Sequence, residues 1–394
     1  MVQTQNSING VLIGQTLKTG FGELLVGNQT PIVQTSFPYN INTDIVNTST
    51  AGSGTVTQAN SFAVLSTGAA INSTASLSTV DVIHYRPGQG ISVFFTSVFT
   101  SGVAGSTQII GIGDSVDGFF FGYNGTSFGI MQRNNSSDTW VAQTSWNTDV
   151  MDGTGPSKMT LDPTKGNVYK IQFQWLGFGA INFFIEDQDN GGFQLVHQIK
   201  YTNQNTVTSL TNPSLPIFAE VDNDTNDTDV VMKTASLCAQ LEGYQAPSKL
   251  RNAQSNRKAS ITTETNVITI RNRSTFASVT NKSLVQLDFL TLSVAGNTDC
   301  RYTFYLNASL GGSPSYTNVS TNTSVVEYDT AGTTVSGREL FYINVNGNSQ
   351  ETQNISDLNI LLNPGDSLTV SGQSAGGAGA AITCDVGLSW VETI

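Results

Sequence analysis

Short alternating segments, interrupted by turn residues, are the feature that most constrains this chain. From Ser61 to Tyr244, segments such as ISVFFTSVF, VYKIQFQWL and FQLVHQIKY follow one another, and many alternate apolar with polar residues. Alternation with period two places the apolar side chains on one face of a strand. Short strands separated by frequent turn signals are typical of β-sandwiches and closed β architectures. The sequence therefore predicts an all-β protein.

Composition favours strands over helices. Charged residues make up 12% of the 394 residues, whereas the ordinary fraction is about 25%. Ser, Thr, Asn and Gly take much of that space, and these residues are poor or neutral helix formers. The apolar residues are rich in Val, Ile, Phe and Tyr, which suit a pleated, half-buried surface.

The net charge of −12 excludes several classes of partner. Nucleic-acid binding requires a basic patch or stripe, so we expect no nucleic-acid partner. No stretch approaches the ~18 consecutive apolar residues of a membrane span, so we expect no membrane partner. The first residues also lack the charged and then apolar pattern of a signal peptide.

The three cysteines, Cys238, Cys300 and Cys384, have no CxxC spacing. They cannot all pair within one chain, and their spacing predicts neither a disulfide framework nor a zinc site. We interpret them as small buried hydrophobic residues.

A second β series begins at Ile261, after the polar and basic stretch QAPSKLRNAQSNRK. Its roughly eight segments suit a jelly roll. The first 57 residues contain few sustained apolar runs. We therefore predict an extended N-terminal arm over residues 1–57, a β-sandwich over 58–245, a linker over 246–262 and a jelly-roll domain over 263–394.

Catalytic signals are sparse. The two histidines, His84 and His197, each lie inside a strand pattern, and no GxSxG motif is present. A glycosidase needs two carboxylates across a cleft, but any β protein supplies loop carboxylates. The candidates considered for such a pair are Asp114, Asp117, Asp149, Asp152 and Glu186. We predict that the protein is not an enzyme and has no cofactor.

The alternative to a protein without a cofactor is a calcium ion bound by an acidic loop. Asp222, Asp224, Asp227 and Asp229 alternate with Asn and Thr in VDNDTNDTDVV, and calcium takes six to eight oxygen ligands of this kind. The spacing fails the EF-hand pattern at the Gly and Glu positions. The loop is either a calcium site or a solvated acidic loop.

Aromatic residues are the candidate binding residues. Five of them are predicted to contact a glycan or a partner protein, namely Tyr123, Phe128, Trp140, Trp146 and Trp175. An exposed aromatic row could stack on sugar rings. Alternate residues of a strand face opposite sides of the sheet, so core packing is the other interpretation for each of them.

Several longer segments resemble structural proteins of tailed phages and large DNA viruses. They include IHYRPGQGISVFFTSVF, GIGDSVDGFFFGYNGTSFGIM and the run from GTGPSKMTLDPTKG to INFFIEDQ, with LNPGDSLTV and the closing GLSWVE. The resemblance covers most of residues 16–394. It implies a component of the virion surface, such as a fibre, a spike or a capsid or tail decoration protein. It implies no catalytic residues.

The prediction is therefore a virion structural protein with a lectin-like, concanavalin-type β-sandwich followed by a jelly roll. We expect it to act in assembly with other virion proteins of the capsid or tail, and in adhesion to host-surface glycans. The alternatives are a glycan-cleaving tailspike enzyme and a secreted cellular lectin or adhesin. By analogy with viral fibres we expect a homotrimer. Its contacts are predicted to involve Leu287, Phe289, Phe304, Tyr342 and Val345 of the jelly roll.

Overall fold

The structure is a computed structural model that describes residues 7–8, 11–12, 28–243 and 250–393. Within these residues the regular elements are β-strands and three single-turn 3₁₀ helices, which confirms the all-β prediction. None of the helices in the described ranges has the length or the apolar run that a membrane span requires. The chain divides into two compact units, the first from Met1–Thr79 and Tyr85–Gln245 and the second from Val80–His84 and Ala246–Ile394, each counted over its described residues.

The first unit is built from short antiparallel strands and one 3₁₀ helix, Gln143–Ser145. The strands are β1 (Ser7–Ile8), β2 (Val11–Leu12), β3 (Gln29–Ser36), β4 (Val46–Ala51), β5 (Thr55–Ala59), β6 (Phe62–Ser66), β7 (Ser73–Thr79), β8 (Gly90–Phe99), β9 (Ser106–Gly113), β10 (Gly118–Asn124), β11 (Ser127–Asn134), β12 (Ser137–Ala142), β13 (Asn167–Phe173), β14 (Ile181–Glu186), β15 (Phe193–Ile199), β16 (Ile217–Asn223), β17 (Val231–Thr234) and β18 (Ser236–Glu242).

Two large antiparallel sheets form a lectin-like sandwich in this unit. The seven-stranded sheet has the order β12-β11-β10-β9-β16-β7-β4. The nine-stranded sheet runs β15-β14-β13-β8, and β8 then pairs with β18 and β17 along different parts of its length. Strand β18 continues to β3, and β17 continues to β6 and β5. Strands β1 and β2 pair with each other.

Alternation along β10 shows where the core of this sandwich lies. Phe119 and Phe121 point towards the nine-stranded sheet, where their ring centroids lie 5.1 Å from Phe173 and 4.9 Å from Tyr169. Phe120, between them, therefore points to the outer face of the seven-stranded sheet. Both kinds of position in this strand are buried.

The second unit contains a further set of strands and the 3₁₀ helices Ser356–Leu358 and Gly377–Gly379. The strands are β19 (Leu250–Ile261), β20 (Thr265–Asn272), β21 (Thr275–Phe276), β22 (Val279–Thr280), β23 (Leu284–Ala295), β24 (Cys300–Leu310), β25 (Thr317–Asn318), β26 (Val326–Asp329), β27 (Val335–Val345), β28 (Gln350–Asn354), β29 (Leu361–Leu362), β30 (Ser367–Ser374) and β31 (Ile382–Thr393).

These strands form a jelly-roll sandwich. One sheet has the order β19-β31-β23-β28, with β29 paired to β23, and the other has the order β25-β26-β20-β30-β24-β27. Strands β21 and β22 pair with each other. The core between the sheets contains Trp390 and Tyr302, both fully buried. The first and last strands of the unit are neighbours in one sheet.

The five residues predicted to lie at a contact between chains divide into two groups. Leu287, Phe304 and Val345 belong to the core of the second unit, so the prediction is wrong for them. Their neighbours cover them within the same chain. Phe289 is 42% exposed and Tyr342 is 54% exposed.

The predicted N-terminal arm is wrong for residues 29–57. Strand β3 pairs with β18, β4 pairs with β7, and β5 pairs with β6. Val33 and Val46 are buried and anchor β3 and β4. The other positions of β4 are exposed and carry Asn, Thr, Ser and Ala. The sequence of β4 therefore lacks the apolar alternation that predicts a strand. Residues 1–6, 9–10 and 13–27 lie outside the described residues.

The predicted linker is wrong for Leu250–Ile261, which form β19. This strand pairs with the last strand, β31, along most of its length. Its half-buried positions carry polar side chains that donate hydrogen bonds, for example from Asn252 Nδ2 to Glu392 Oε1 at 2.8 Å and from Asn256 Nδ2 to Val267 O at 2.7 Å. The apolar signal of a strand is therefore missing from the sequence.

Candidate functional site

The outer face of the seven-stranded sheet carries a continuous row of mostly apolar residues. Strand pairing sets Phe218, Gly111, Phe120, Met131 and Trp140 side by side on β16, β9, β10, β11 and β12. We call these five residues the outer row. Neighbouring strands lie about 4.8 Å apart, so the row spans about 19 Å. The row and the adjacent Ile109 form an apolar cluster separate from the core between the sheets.

Phe120 forms the floor of this cluster and is fully buried. A Cβ atom on Gly113 would lie 2.4 Å from Phe120 Cζ, and a Cβ on Gly118 would lie 2.5 Å from the same ring. These two glycines therefore allow the ring to lie against the backbone of the sheet. The Arg133 guanidinium lies 5.6 Å from the ring centroid. Phe120 supports the surface and does not itself face solvent.

Arg133 is held in one orientation. Its Nε donates to Asp138 Oδ1 at 2.8 Å, its Nη2 to Asp138 Oδ2 at 3.1 Å and its Nη1 to the Asp114 carbonyl at 3.0 Å. Burial alone would lower the pKa of Arg133, but the hydrogen bond and negative charge of Asp138 raise it. A planar cation paired in this two-pronged way has little freedom to move.

Two carboxylates lie beside the outer row. Glu220 and Asp222 occupy consecutive outward positions of β16, so their Cα atoms are about 7 Å apart. Burial raises the pKa of Glu220; the charge of Arg133 opposes this shift, and the charges of Asp222 and Asp138 add to it. Burial, with repulsion from Asp224, also raises the pKa of Asp222. Both groups hold a proton more tightly than an exposed carboxylate does.

Three of the five predicted contact residues lie in the core. Tyr123, Phe128 and Trp146 are 8%, 6% and 5% exposed. Their rings pack on one another, with centroids 5.0 Å apart for Tyr123 and Phe128 and 6.2 Å apart for Phe128 and Trp146. The core-packing interpretation therefore applies to these three residues, which have no surface to offer a ligand.

The other two predicted residues are half-buried. Trp140 is the end of the outer row. Trp175 follows β13 and packs edge-on against Tyr85, with ring centroids 5.4 Å apart. Its indole N–H is buried without a hydrogen-bond partner, so this ring is mainly a packing element. Trp140 remains a predicted contact.

The sequence reasoning missed Phe218, Arg133 and Glu220. The signal for two of them was present in IFAEVDN, where Ile217, Ala219 and Val221 are buried and the alternate residues are Phe, Glu and Asp. An aromatic residue on the otherwise polar face of a strand is the pattern that could have identified this site. The sequence pattern around Arg133 did not indicate a role in this site, because its partner Asp138 lies on the opposite strand of a hairpin.

Several of the carboxylates singled out for hydrolysis and for calcium accept hydrogen bonds within the chain. Asp117 and Asp149 are buried and accept backbone hydrogen bonds, such as that from Thr211 N at 2.9 Å and that from Met151 N at 2.9 Å. Asp229 accepts a hydrogen bond from Ser66 Oγ at 2.7 Å. Within the described ranges no group of three His, Cys, Asp or Glu residues could hold a metal ion. The four aspartates of the acidic loop are therefore not brought together as such a group in the described residues.

A cleft of about 360 Å³ lies at the end strands β12 and β15 of the first unit. Gln132, Asn147, His197 and Lys200 are among its lining residues. Gln132 Nε2 donates to Ser209 O at 2.8 Å, and His197 Nδ1 accepts a hydrogen bond from Asn147 N at 3.2 Å. These polar groups of the cleft already bond within the chain.

Comparison with known proteins finds no matching family model and no matching curated protein. Among solved structures, the chain is similar to the CBM2 module of the evolved Dit of Lactobacillus casei BL23 phage J-1 (10% identity, TM-score 0.37, 56% of this chain and 100% of that chain). It is also similar to arcelin-5, a lectin-like defence protein from Phaseolus vulgaris (11%, 0.34, 54% and 99%), and to a putative β-glucanase from Mycobacterium abscessus (9%, 0.38, 53% and 99%). These identities and scores are too low to carry an argument about function.

Proposed function

We propose that the first unit binds glycans on the outer face of its seven-stranded sheet, without cleaving them. The observation that carries this proposal is the outer row, with its half-buried aromatic residues Phe218 and Trp140 at either end. The paired Arg133 and Asp138 and the carboxyl group of Glu220 lie beside it.

The chemistry of a sugar fits this combination of residues. The C–H bonds on one face of a pyranose carry partial positive charge and pack on the negative face of an aromatic ring. The hydroxyl groups of the sugar both donate and accept, so they can bond to a carboxylate and to a guanidinium at once. Two accessible aromatic residues about 19 Å apart on one sheet face suit an extended saccharide better than a compact one.

We further propose that the protein is a component of a virion surface, in contact with capsid or tail proteins and assembled as a homotrimer. The resemblance of its long segments to virion structural proteins supports this role. A chain with 12% charged residues and two β-sandwiches also suits a particle exposed to the environment.

The test is a glycan array probed with the purified full-length protein and with two variants, Trp140→Ala and Phe218→Ala. We expect each variant to lose affinity about tenfold for whichever saccharide the wild type binds, since about 1.4 kcal/mol corresponds to one such ring contact. Phe193→Ala is the matched control. Phe193 is a 37% exposed aromatic residue on the nine-stranded sheet, packed on Phe94.

Two results would overturn the assignment of the site. One is the absence of any saccharide ligand for the wild type on the array. The other is an equal loss of affinity in Phe193→Ala and in the two outer-row variants, because a general loss of stability would then explain all three.

Glycan hydrolysis is a second candidate function. The specific observation that favours it is the pair of carboxylates with raised pKa, Glu220 and Asp222, on one strand face beside the aromatic residues. A general acid of this kind needs a raised pKa. New reducing ends released from a bound glycan by the wild type, and not by Glu220→Gln, would favour hydrolysis over the binding-only proposal.

A further inference from the structure

Two cysteine thiols of the second unit face each other across its core. Cys300 begins β24 in one sheet and Cys384 lies on β31 in the other. Their Sγ atoms are 3.3 Å apart, and both residues are fully buried. A sulfur–sulfur bond requires about 2.05 Å, so the two atoms need to approach by about 1.2 Å.

The surroundings leave room for this approach. A Cβ atom on Gly372 would lie 2.9 Å from Cys384 Sγ and 3.5 Å from Cys300 Sγ, so the glycine keeps this part of the core open for the two sulfurs. Each cysteine lies on a strand that is paired on both sides within its own sheet: Cys300 pairs with Val345 and Ser374, and Cys384 pairs with Lys258 and Val294.

We propose that Cys300 and Cys384 form a disulfide bond between the two sheets when the chain folds in the presence of a small disulfide. The thiolate of one cysteine attacks a sulfur of the small disulfide, forms a mixed disulfide and releases one small thiolate. The second cysteine then attacks the protein sulfur of the mixed disulfide and releases the other. The protons of the two cysteines end on the two released thiolates.

This bond closes a loop between residues 84 positions apart. A cross-link of this length restricts the unfolded chain strongly, and we expect it to raise the Tm of the second unit by about 10 °C. Since both sulfurs are buried in the folded unit, we expect the reaction during folding and little reaction after it. Cys238 lies in the first unit on β18 and stays a free thiol.

The experiment refolds the full-length protein with reduced and oxidised glutathione, and in parallel with a phosphine reductant. Denatured samples are then treated with iodoacetamide, and the protein mass is measured by mass spectrometry. We expect one alkylated cysteine after oxidative refolding and three after reduction, with a cross-linked peptide pair that contains Cys300 and Cys384. The Cys238→Ala variant controls for linkage between chains, and Cys300→Ala is expected to lose the difference in Tm between the two conditions.

Three alkylated cysteines after oxidative refolding would overturn the proposal, as would a stable glutathione adduct on Cys300 or Cys384. A cross-link that involves Cys238 would also contradict it. If Cys300→Ala fails to fold, the wild-type alkylation count and the peptide map decide the question without it.

Discussion

At the scale of single residues, a buried carboxylate of the second unit and a half-buried carboxyl group of the first differ in their surroundings. Glu392 is fully buried, and it accepts hydrogen bonds from Ser324 Oγ at 2.6 Å, Val325 N at 2.8 Å and Trp390 Nε1 at 2.8 Å. A carboxylate with this many donors keeps most of the stabilisation that water gave it. Glu220 has no comparable set of donors, and burial is the largest cause of its raised pKa.

Replacement of Glu220 by Gln is therefore expected to stabilise the first unit at pH 7. Because the folded state raises the pKa of Glu220 above 4.5, it binds the proton more tightly than the unfolded state does. The stability that this provides is complete below the unfolded pKa and is lost as the pH rises through the folded pKa. Because Gln does not ionise, the Glu220→Gln variant does not lose this stability as the pH rises.

The measurement is the Tm of the first unit by calorimetry between pH 3 and pH 8, where 1 kcal/mol corresponds to about 2–4 °C. We expect the variant and the wild type to agree at pH 3 and to separate above pH 5. Glu186→Gln, a half-buried glutamate at the end of β14, is the control. A lower Tm for Glu220→Gln at pH 7 would contradict the expected sign.

At the scale of elements, β19 shows how polar side chains define a strand. The Lys258 ammonium donates to the carbonyls of Asn266 at 2.7 Å and Gly332 at 2.8 Å, and these contacts tie β19 to β20 and to the loop between β26 and β27. Desolvation by burial lowers the pKa of Lys258, and the charge of Asp329 opposes this shift. Arg257, the preceding residue, is exposed and lies 3.7 Å from Asp385.

We expect Lys258→Ala to destabilise the second unit by about 1–3 kcal/mol, because charge-assisted hydrogen bonds to carbonyls are lost. Arg257→Ala, the adjacent control, is expected to cost less than about 1 kcal/mol, as exposed ion pairs do. Chemical denaturation of the full-length protein measures both. Trypsin is expected to leave the bond after Lys258 intact in the native protein, and rapid cleavage there would support the linker instead.

The sequence predicted the strands that alternate apolar and polar residues, and it missed the strands in which this alternation is absent. Strands such as β14 alternate Ile, Phe and Ile at their buried positions, and period two alone predicts them. Strand β19 has Asn, Gln and Lys at the same kind of position, and its partners lie far away in the chain. No local sequence pattern indicates a pairing strand that lies so far away in the chain, so this segment was interpreted as a linker.

The candidate site was harder to predict than the fold for a related reason. Phe119, Phe120 and Phe121 are adjacent and all fully buried, yet only the middle one belongs to the outer row. Composition cannot assign the faces of such a strand, because both faces carry aromatic residues. Trp140 was identified as a contact candidate, but Phe218, at the other end of the outer row, comes from a strand that only the sheet order brings into the same sheet face.

At the scale of the whole molecule, the trimer proposal predicts a mass in solution of three times the chain mass of 41.9 kDa. In this proposal the contact between chains involves Phe289 and Tyr342, two exposed apolar residues of the second unit. Exposed apolar groups on an assembly-forming protein are commonly covered by a second copy. We expect the double variant Phe289→Ser and Tyr342→Ser to shift the protein to monomer in light scattering. A wild-type protein that stays monomeric at high concentration contradicts this proposal.

Because β19 and β31 are neighbours in one sheet, the β19–β31 segment of the second unit begins and ends at nearly the same place. Leu250, at the start of the unit's first strand, lies opposite Glu392, near the end of its last strand. The chain therefore enters and leaves this sandwich about 5 Å apart, one strand spacing. A module with such ends can be placed in a surface loop of another protein, or exchanged for a different module, with little change in the host.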